Sequence, residues 1–288
     1  MKSNSKRTKK GVWYAFVIIV TALAVMLNMD EDILTVDAEE ENPLWELFYP
    51  DDYLYTTRSN DHLPFGFPQD NDTTDDYIIE RPQYVVSYCA KKNTANWVGW
   101  HLSESWIGDE PRFTGQFRAD TSLPDTFYRV THSDYTHSGY DRGHIVRSKE
   151  RSRTREDNIS TFILSNVFPQ TPDLNRGVWL KFEDYCLQRA KQTGKHAYII
   201  AGGVYHTNRT LHDAGKVMIP DSCFKITLFT ELPSFSDGYR LSDIDVVAVM
   251  MPNTDGVRRD DWQQYQTTVE HIEASTGYRF FMRMPQRW

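Results

Sequence analysis

The segment "SGYDRGHIVRSKER", residues 138 to 151, sets Asp141, Arg142, Gly143 and His144 side by side ahead of a basic run. In an extended strand, Asp141 and Gly143 face one way while Arg142 and His144 face the other. An imidazole can take a proton from water near neutral pH, and a guanidinium beside it can hold an anionic oxygen. That pairing suits a phosphate.

Downstream, "LNRGVWLKFEDYC" spaces Asn175, Trp179 and Glu183 by four and four. On a helix Asn175 and Glu183 then share one broad face, about two turns apart. An amide oxygen and a carboxylate so placed suit a hard cation, the amide as direct ligand and the acid through a bound water. Mg2+ tolerates such sparse ligation because it keeps much of its hydration shell. A base, a cationic clamp and a metal form the minimum set for hydrolysing a phosphodiester, since cations neutralise the charge that builds on five-coordinate phosphorus. Taken singly, Glu183 would be a solvated helix acid, and Asn175, close after Asp173, is also suited to capping the helix; capping and ligation can coexist.

The elements that must carry these residues are legible on both sides of them. "YVVSYC" and "WVGWHL" read as two strands joined by the turn-prone "AKKNTAN", and "AYIIAGGVY", "CFKITLFT" and "DVVAVMM" read as further strands. A helix is expected from Asn175 to about Lys195, after Pro172 and ending at "TGK". "DWQQYQTTVEHIEASTG" has Trp262, Tyr265, Val269 and Ile272 at helical spacing before Gly277. The pattern is α+β with a mainly antiparallel sheet.

A chain of 288 residues with 40% hydrophobic content can bury one sizeable core or two small ones. Its net charge of -8 runs against polyanion binding, but the charge is unevenly spread. The first eleven residues carry five basic side chains and no acid; residues 30 to 80 carry sixteen acids against Arg58 alone; residues 81 to 288 carry 26 basic and 24 acidic side chains. The body is therefore nearly neutral. "KRTKK" followed by the sixteen-residue apolar run "VWYAFVIIVTALAVML" reads as a signal peptide or an N-terminal membrane anchor over residues 1–28, with the body exported. Residues 29–80 read as an acidic, largely irregular linker, and 81–288 as the folded domain. Cys89, Cys186 and Cys223 are widely spaced and form no C-x-x-C; they read as buried small hydrophobes or as at most one disulfide pair. The basic run 146 to 155 is expected as a solvated loop or a contact to a nucleic-acid backbone.

"DRGH", then "LNRGVW" with a glutamate eight residues after its asparagine, resembles the DNA/RNA non-specific endonuclease family, which includes endonuclease G and the secreted sugar-non-specific bacterial nucleases. "NWVGWHL", "NVFPQTPDLNRGVWLKFEDYC", "YIIAGGVY", "IPDSCFKITL" and "TTVEHIEASTGYRFF" look like its recurring blocks, in its order, from about Tyr84 to Phe281. "TREDNISTF" and "FEDYC" bring the chain nearest to the secreted bacterial branch. The resemblance implies a ββα-metal (His-Me finger) fold, with a mainly antiparallel central sheet flanked by helices. It makes His144 the general base and proton acceptor, Asn175 the sole direct protein ligand of Mg2+ with Mn2+ as a substitute, and Glu183 the acid that orients the ion's water. Such chemistry leaves 5'-phosphate ends on DNA and RNA, cut with little sequence preference.

The family also holds the scissile phosphate with an upstream arginine, which falls on Arg112 here with Arg118 as the alternative; Arg142 is a second phosphate-binding or structural candidate. Asp141 and Gly143 within the motif, and Asn166 and Gln170 beyond it, are implied as supporting residues. "GHIVRSKER" departs from the family, which often has a proline or alanine after the histidine. The alternative within the same fold is a catalytically weakened or inhibitor-regulated nucleic-acid-binding member. The lack of H-E-x-x-H and of G-x-S-x-G argues against a metalloprotease or a serine esterase.

Overall fold

The computed structural model describes residues 60–72, 74–213, 215–231 and 244–282, together with the backbone of two short strands. The signal or anchor expected over residues 1–28 lies outside the described residues. In chain order the first strands are β1 (Tyr53–Leu54), β2 (Tyr77–Glu80), β3 (Val85–Cys89) and β4 (Thr94–Leu102). Strand β5 (Asp141–His144), helix α1 (Arg155–Ser160), strand β6 (Val167–Gln170) and helix α2 (Trp179–Thr193) carry the motif residues. Strands β7 (His196–Val204), β8 (Ser222–Thr230), β9 (Tyr239–Arg240), β10 (Asp245–Pro252) and β11 (Gln266–Thr267) follow, then helix α3 (Val269–Thr276).

Seven strands form one sheet in the order β11-β10-β8-β7-β4-β3-β2, antiparallel at every pairing. Side-chain parity divides it between two cores. Val98, Trp100 and Leu102 of β4, with Cys223 and Phe229 of β8, meet Trp179, Phe182, Cys186 and Ala190 of α2. Trp97, Phe224, Ile226 and Leu228 turn to the opposite face, against Val269 and Ile272 of α3 and against Leu63 and Phe65. The same parity puts Lys225 on the α2 face, where it is only 1% exposed. β5 pairs antiparallel with β6 beside this sheet, and α2 follows β6. That strand pair and helix are the ββα unit expected from the sequence, and the α+β class with its mainly antiparallel sheet is as expected.

Two expectations are corrected. The acidic linker does not extend to residue 80: Leu63, Phe65 and Ile79 are buried, Gln69 bridges to Arg279, and β2 forms one edge of the sheet. Three apolar anchors outweigh the surrounding acids there. The helix expected over "DWQQYQTTVEHIEASTG" is broken, because Gln266 and Thr267 pair with β10 and only Val269–Thr276 is α-helical. Thr268 caps it by accepting from the His271 amide. Cys89, Cys186 and Cys223 are buried free thiols.

Three histidines pin residues 60–65 to the sheet. His62 Nε2 donates to the Pro82 carbonyl and its Nδ1 accepts from the His101 amide, while His101 Nε2 meets His196 Nδ1 at 2.5 Å. Burial, then the Arg151 guanidinium, pushes His62 down to about 4; burial, His196, His62 and Arg151 push His101 down to about 3; burial lowers His196. The hydrogen bond to the Pro82 carbonyl, and then Asp61, pull the other way on His62. The folded values lie below the unfolded 6.5, so the stabilisation is complete above pH 6.5 and is lost as pH falls towards the folded values. We expect unfolding free energy to drop by several kcal/mol between about pH 7.5 and pH 5, before most carboxylates titrate. Urea unfolding at both values checks this: His62→Gln should flatten the change, and a flat wild-type profile would refute it.

Candidate active site

β5 and β6 exchange register as Asp141 with Gln170 and His144 with Val167. Gly143 allows a close approach: a Cβ there would lie 2.6 Å from Cδ of the fully buried Gln170 side chain, which would have to shift. Asn166, also fully buried, accepts from the Val146 amide and donates to the Val146 and Thr161 carbonyls. These bonds fix the chain immediately after His144. Gln170 and Asn166 therefore support the strand pair from beneath.

The His144 ring sits between Phe117 and Phe162, at centroid distances of 4.9 and 4.8 Å. Its Nε2 is buried without a hydrogen-bond partner among the described residues. Burial and then the Arg112 guanidinium push its pKa down to about 3, so the imidazole is neutral. Arg112 lies over the Phe162 ring at 4.9 Å and donates to Ser148 Oγ at 2.6 Å. Neither Asp109 nor Glu110 pairs with it among the described residues; Glu110 faces Arg155 instead. Arg118 is turned aside over Phe113, outside the cavity lining. Arg142 donates to the His132 carbonyl at 2.6 Å and covers Tyr135, while its Nε is left unpartnered.

The chain enters α2 through a wide turn, Leu174–Val178, in which Gly177 departs from helical geometry. Capping falls to Thr171, whose hydroxyl accepts from the Leu174 amide, and Asn175 makes no cap. Asn175 Nδ2 donates instead to Asp141 Oδ2 at 2.9 Å, and Arg176 pairs with the same carboxylate. That orientation leaves the Asn175 amide oxygen without a donor among the described residues. It is a hard oxygen of the kind a Mg2+ ion takes beside its own waters, so the residue fits the ligand role.

Glu183 is 5% exposed and bonded to Lys225 Nζ at 3.2 Å, with Arg147 Nη1 at 3.9 Å. Burial pushes its carboxyl up, opposed by Lys225 and Arg147. Arg147 also bonds Glu150, Asp184 and the Glu183 carbonyl, and Glu150 accepts from Trp100. This buried network was missed in the sequence, although a lysine inside the apolar strand "CFKITLFT" is its signal. Arg151, fully buried, bonds the Gln83 and His101 carbonyls and covers Trp106 at 4.3 Å. The expectation of a solvated basic run over 146 to 155 is thus corrected: Arg147 and Arg151 serve buried acceptors.

One cavity of about 790 Å3 gathers Arg112, Asp141, Arg142, His144, Asn175 and Glu183, with Arg147, Ser148 and Lys149. A neutral imidazole, four arginines and an amide oxygen thus share a space large enough for a nucleotide-sized ester.

Residues 58–287 match the DNA/RNA non-specific endonuclease family. A nuclease of Nostoc sp. is 42% identical over 217 residues, covering 75% of this chain and 77% of its own. Human mitochondrial endonuclease G is 28% identical over 215 residues, 70% and 69% of the two chains. The fold is shared with a chain solved in a complex of EndoG with EndoGI, at a TM-score of 0.64 and 24% identity, over 78% of this chain and 91% of that one. With this match over most of its length, and with DRGH, Asn175 and Glu183 around one cavity, the chain belongs to the DNA/RNA non-specific endonuclease family.

Proposed function

We propose that the protein is an exported, sugar-non-specific endonuclease that hydrolyses DNA and RNA with His144 as general base, leaving 5'-phosphate ends. The observation that carries this reading is a neutral His144 lining the same cavity as Arg112 and Asn175. Members of the family depend in general on a metal ion; here we assign Mg2+, held by Asn175 and served by Glu183. When bound, the ion supplies positive charge at the phosphate and at the leaving oxygen.

The chain's own residues do the rest. His144 takes the proton of the attacking water, its ring held between Phe117 and Phe162. Arg112, locked by Ser148 and Phe162, is ready to hold the scissile phosphate without first reorganising. Asp141 turns the Asn175 amide, and the Arg147 and Lys225 pair holds the Glu183 carboxylate in place.

Digestion of plasmid DNA and of RNA with Mg2+ and with EDTA tests the reading; metal-independent cleavage, or none, would sink it. Asn175→Ala should raise the Mg2+ concentration for half-maximal rate by roughly 10–100-fold. A titration identical to wild type would remove Asn175 from the ligand set. Export is supported by the basic and apolar N-terminal sequence, and sequencing the N-terminus of protein recovered from the medium or the membrane fraction distinguishes a cleaved signal from an anchor. A protein inhibitor as partner is supported by the neighbouring fold solved with EndoGI.

A further inference from the structure

Beside the active-site cavity lies a second concavity of about 400 Å3, lined by Arg176, Gly177, Leu180, Lys181, Asp184, Arg258 and Arg259. Arg176 and Leu180 line both, so the two spaces adjoin. Its four cations come from two segments remote in sequence. Arg176 and Lys181 belong to the α2 entry, whereas Arg258 and Arg259 sit on the 257–259 turn after β10.

The junction is built closely. A Cβ on Gly177 would lie 2.6 Å from Arg258 Cα, so only glycine lets the turn sit this near. Asp173 accepts from the Gly256 amide at 2.8 Å, and Lys181 Nζ donates to the Arg259 and Asp260 carbonyls at 3.0 and 2.8 Å. Bonds at both ends thus hold the turn in place. The acids nearby are largely spoken for: Asp184 bonds Arg147 and Lys149, Asp141 bonds Asn175 and Arg176, and Asp260 accepts from Tyr265. Asp173 faces Arg258 at 3.7 Å. Among the described residues the Arg259 guanidinium has no ion pair or hydrogen bond, and both arginines are exposed.

We propose that this groove binds the phosphate backbone of the nucleic-acid strand beyond the scissile bond, with Arg258 and Arg259 as its principal contacts. The proposal rests on the nuclease reading of the adjoining cavity. A row of cations leading from an active site matches a ligand that carries one charge per nucleotide, and it reads no base. Two arginines fixed through their backbone lose little freedom on binding, so they add affinity without adding sequence preference.

The test is binding of the full chain, in EDTA, to a fluorescent single strand and to a trinucleotide over a series of salt concentrations. Arg258→Ala/Arg259→Ala should weaken the long strand roughly 10-fold, flatten the slope of log K against log salt by about 1, and leave the trinucleotide unaffected. Lys191→Ala, at the far end of α2, should change neither. Equal affinity and slope in the double variant would overturn the groove, as would a groove that takes polyglutamate but not the strand. Cleavage is read separately with Mg2+: a normal slope without cleavage would remove the catalytic reading and leave the groove, whereas cleavage with an unchanged slope would remove the groove alone.

Discussion

His144→Ala is expected to lower kcat on both DNA and RNA by at least ~10²-fold, with KM changed little. The imidazole is the one neutral nitrogen base among the residues lining the cavity, whose other titratable side chains are arginines, Lys149 and carboxylates. Arg112, Arg142 and Lys149 remain to bind the phosphate, so the loss should fall on the chemical step. Removing a ring from between Phe117 and Phe162 also leaves a gap, so Tm belongs in the same measurement. A folded variant with nearly wild-type kcat would refute His144 as the base. A variant that keeps kcat but raises KM would make it a substrate contact.

How much of this site was open to sequence reading depends on how local each signal is. The DRGH segment declares its strand and its three side chains within a few residues, whereas the helix expected from Asn175 begins only at Trp179, and Asn175 reaches the cavity it shares with Glu183 from the wide turn before α2. Gly194, left-handed at φ 68°, closes that helix where "TGK" predicted a stop. What escaped is tertiary. Nothing near Arg151 in sequence reveals that the Gln83 and His101 carbonyls await it, and charge runs are solvated in most chains. Residues 60–80 were hidden by composition, since acids outnumber the few apolar residues that do the anchoring. Arg147 stands where the family often has proline or alanine, and its value is visible only once Glu150, Glu183 and Asp184 surround it. The odd residue in the motif is thus the one that ties the loop after His144 to the acid of α2.

The second large effect concerns that acid. Lys225→Met should destabilise the fold by about 3–5 kcal/mol, because it leaves Glu183 buried without its nearest cation. At roughly 2–4 °C per kcal/mol for a domain of this size, Tm should fall by about 6–20 °C. Arg147 cannot take over in full, since its Nη1 is nearer to Asp184 at 2.8 Å than to Glu183 at 3.9 Å. Trp179 and Trp100, whose ring centres lie 4.4 and 5.2 Å from the ammonium, would pack on a methionine but offer the carboxylate nothing. The control is Glu183→Gln and the pair Lys225→Met/Glu183→Gln. If the energy resides in the ion pair, the double variant should be less destabilised than the two single losses added together. Strict additivity, or a single loss below about 1 kcal/mol, would mean that Lys225 fills space beside the two tryptophans and has no hold on Glu183. Coupling in stability together with a lower kcat at saturating Mg2+ would instead show that the buried lysine keeps the active-site acid where the reaction needs it.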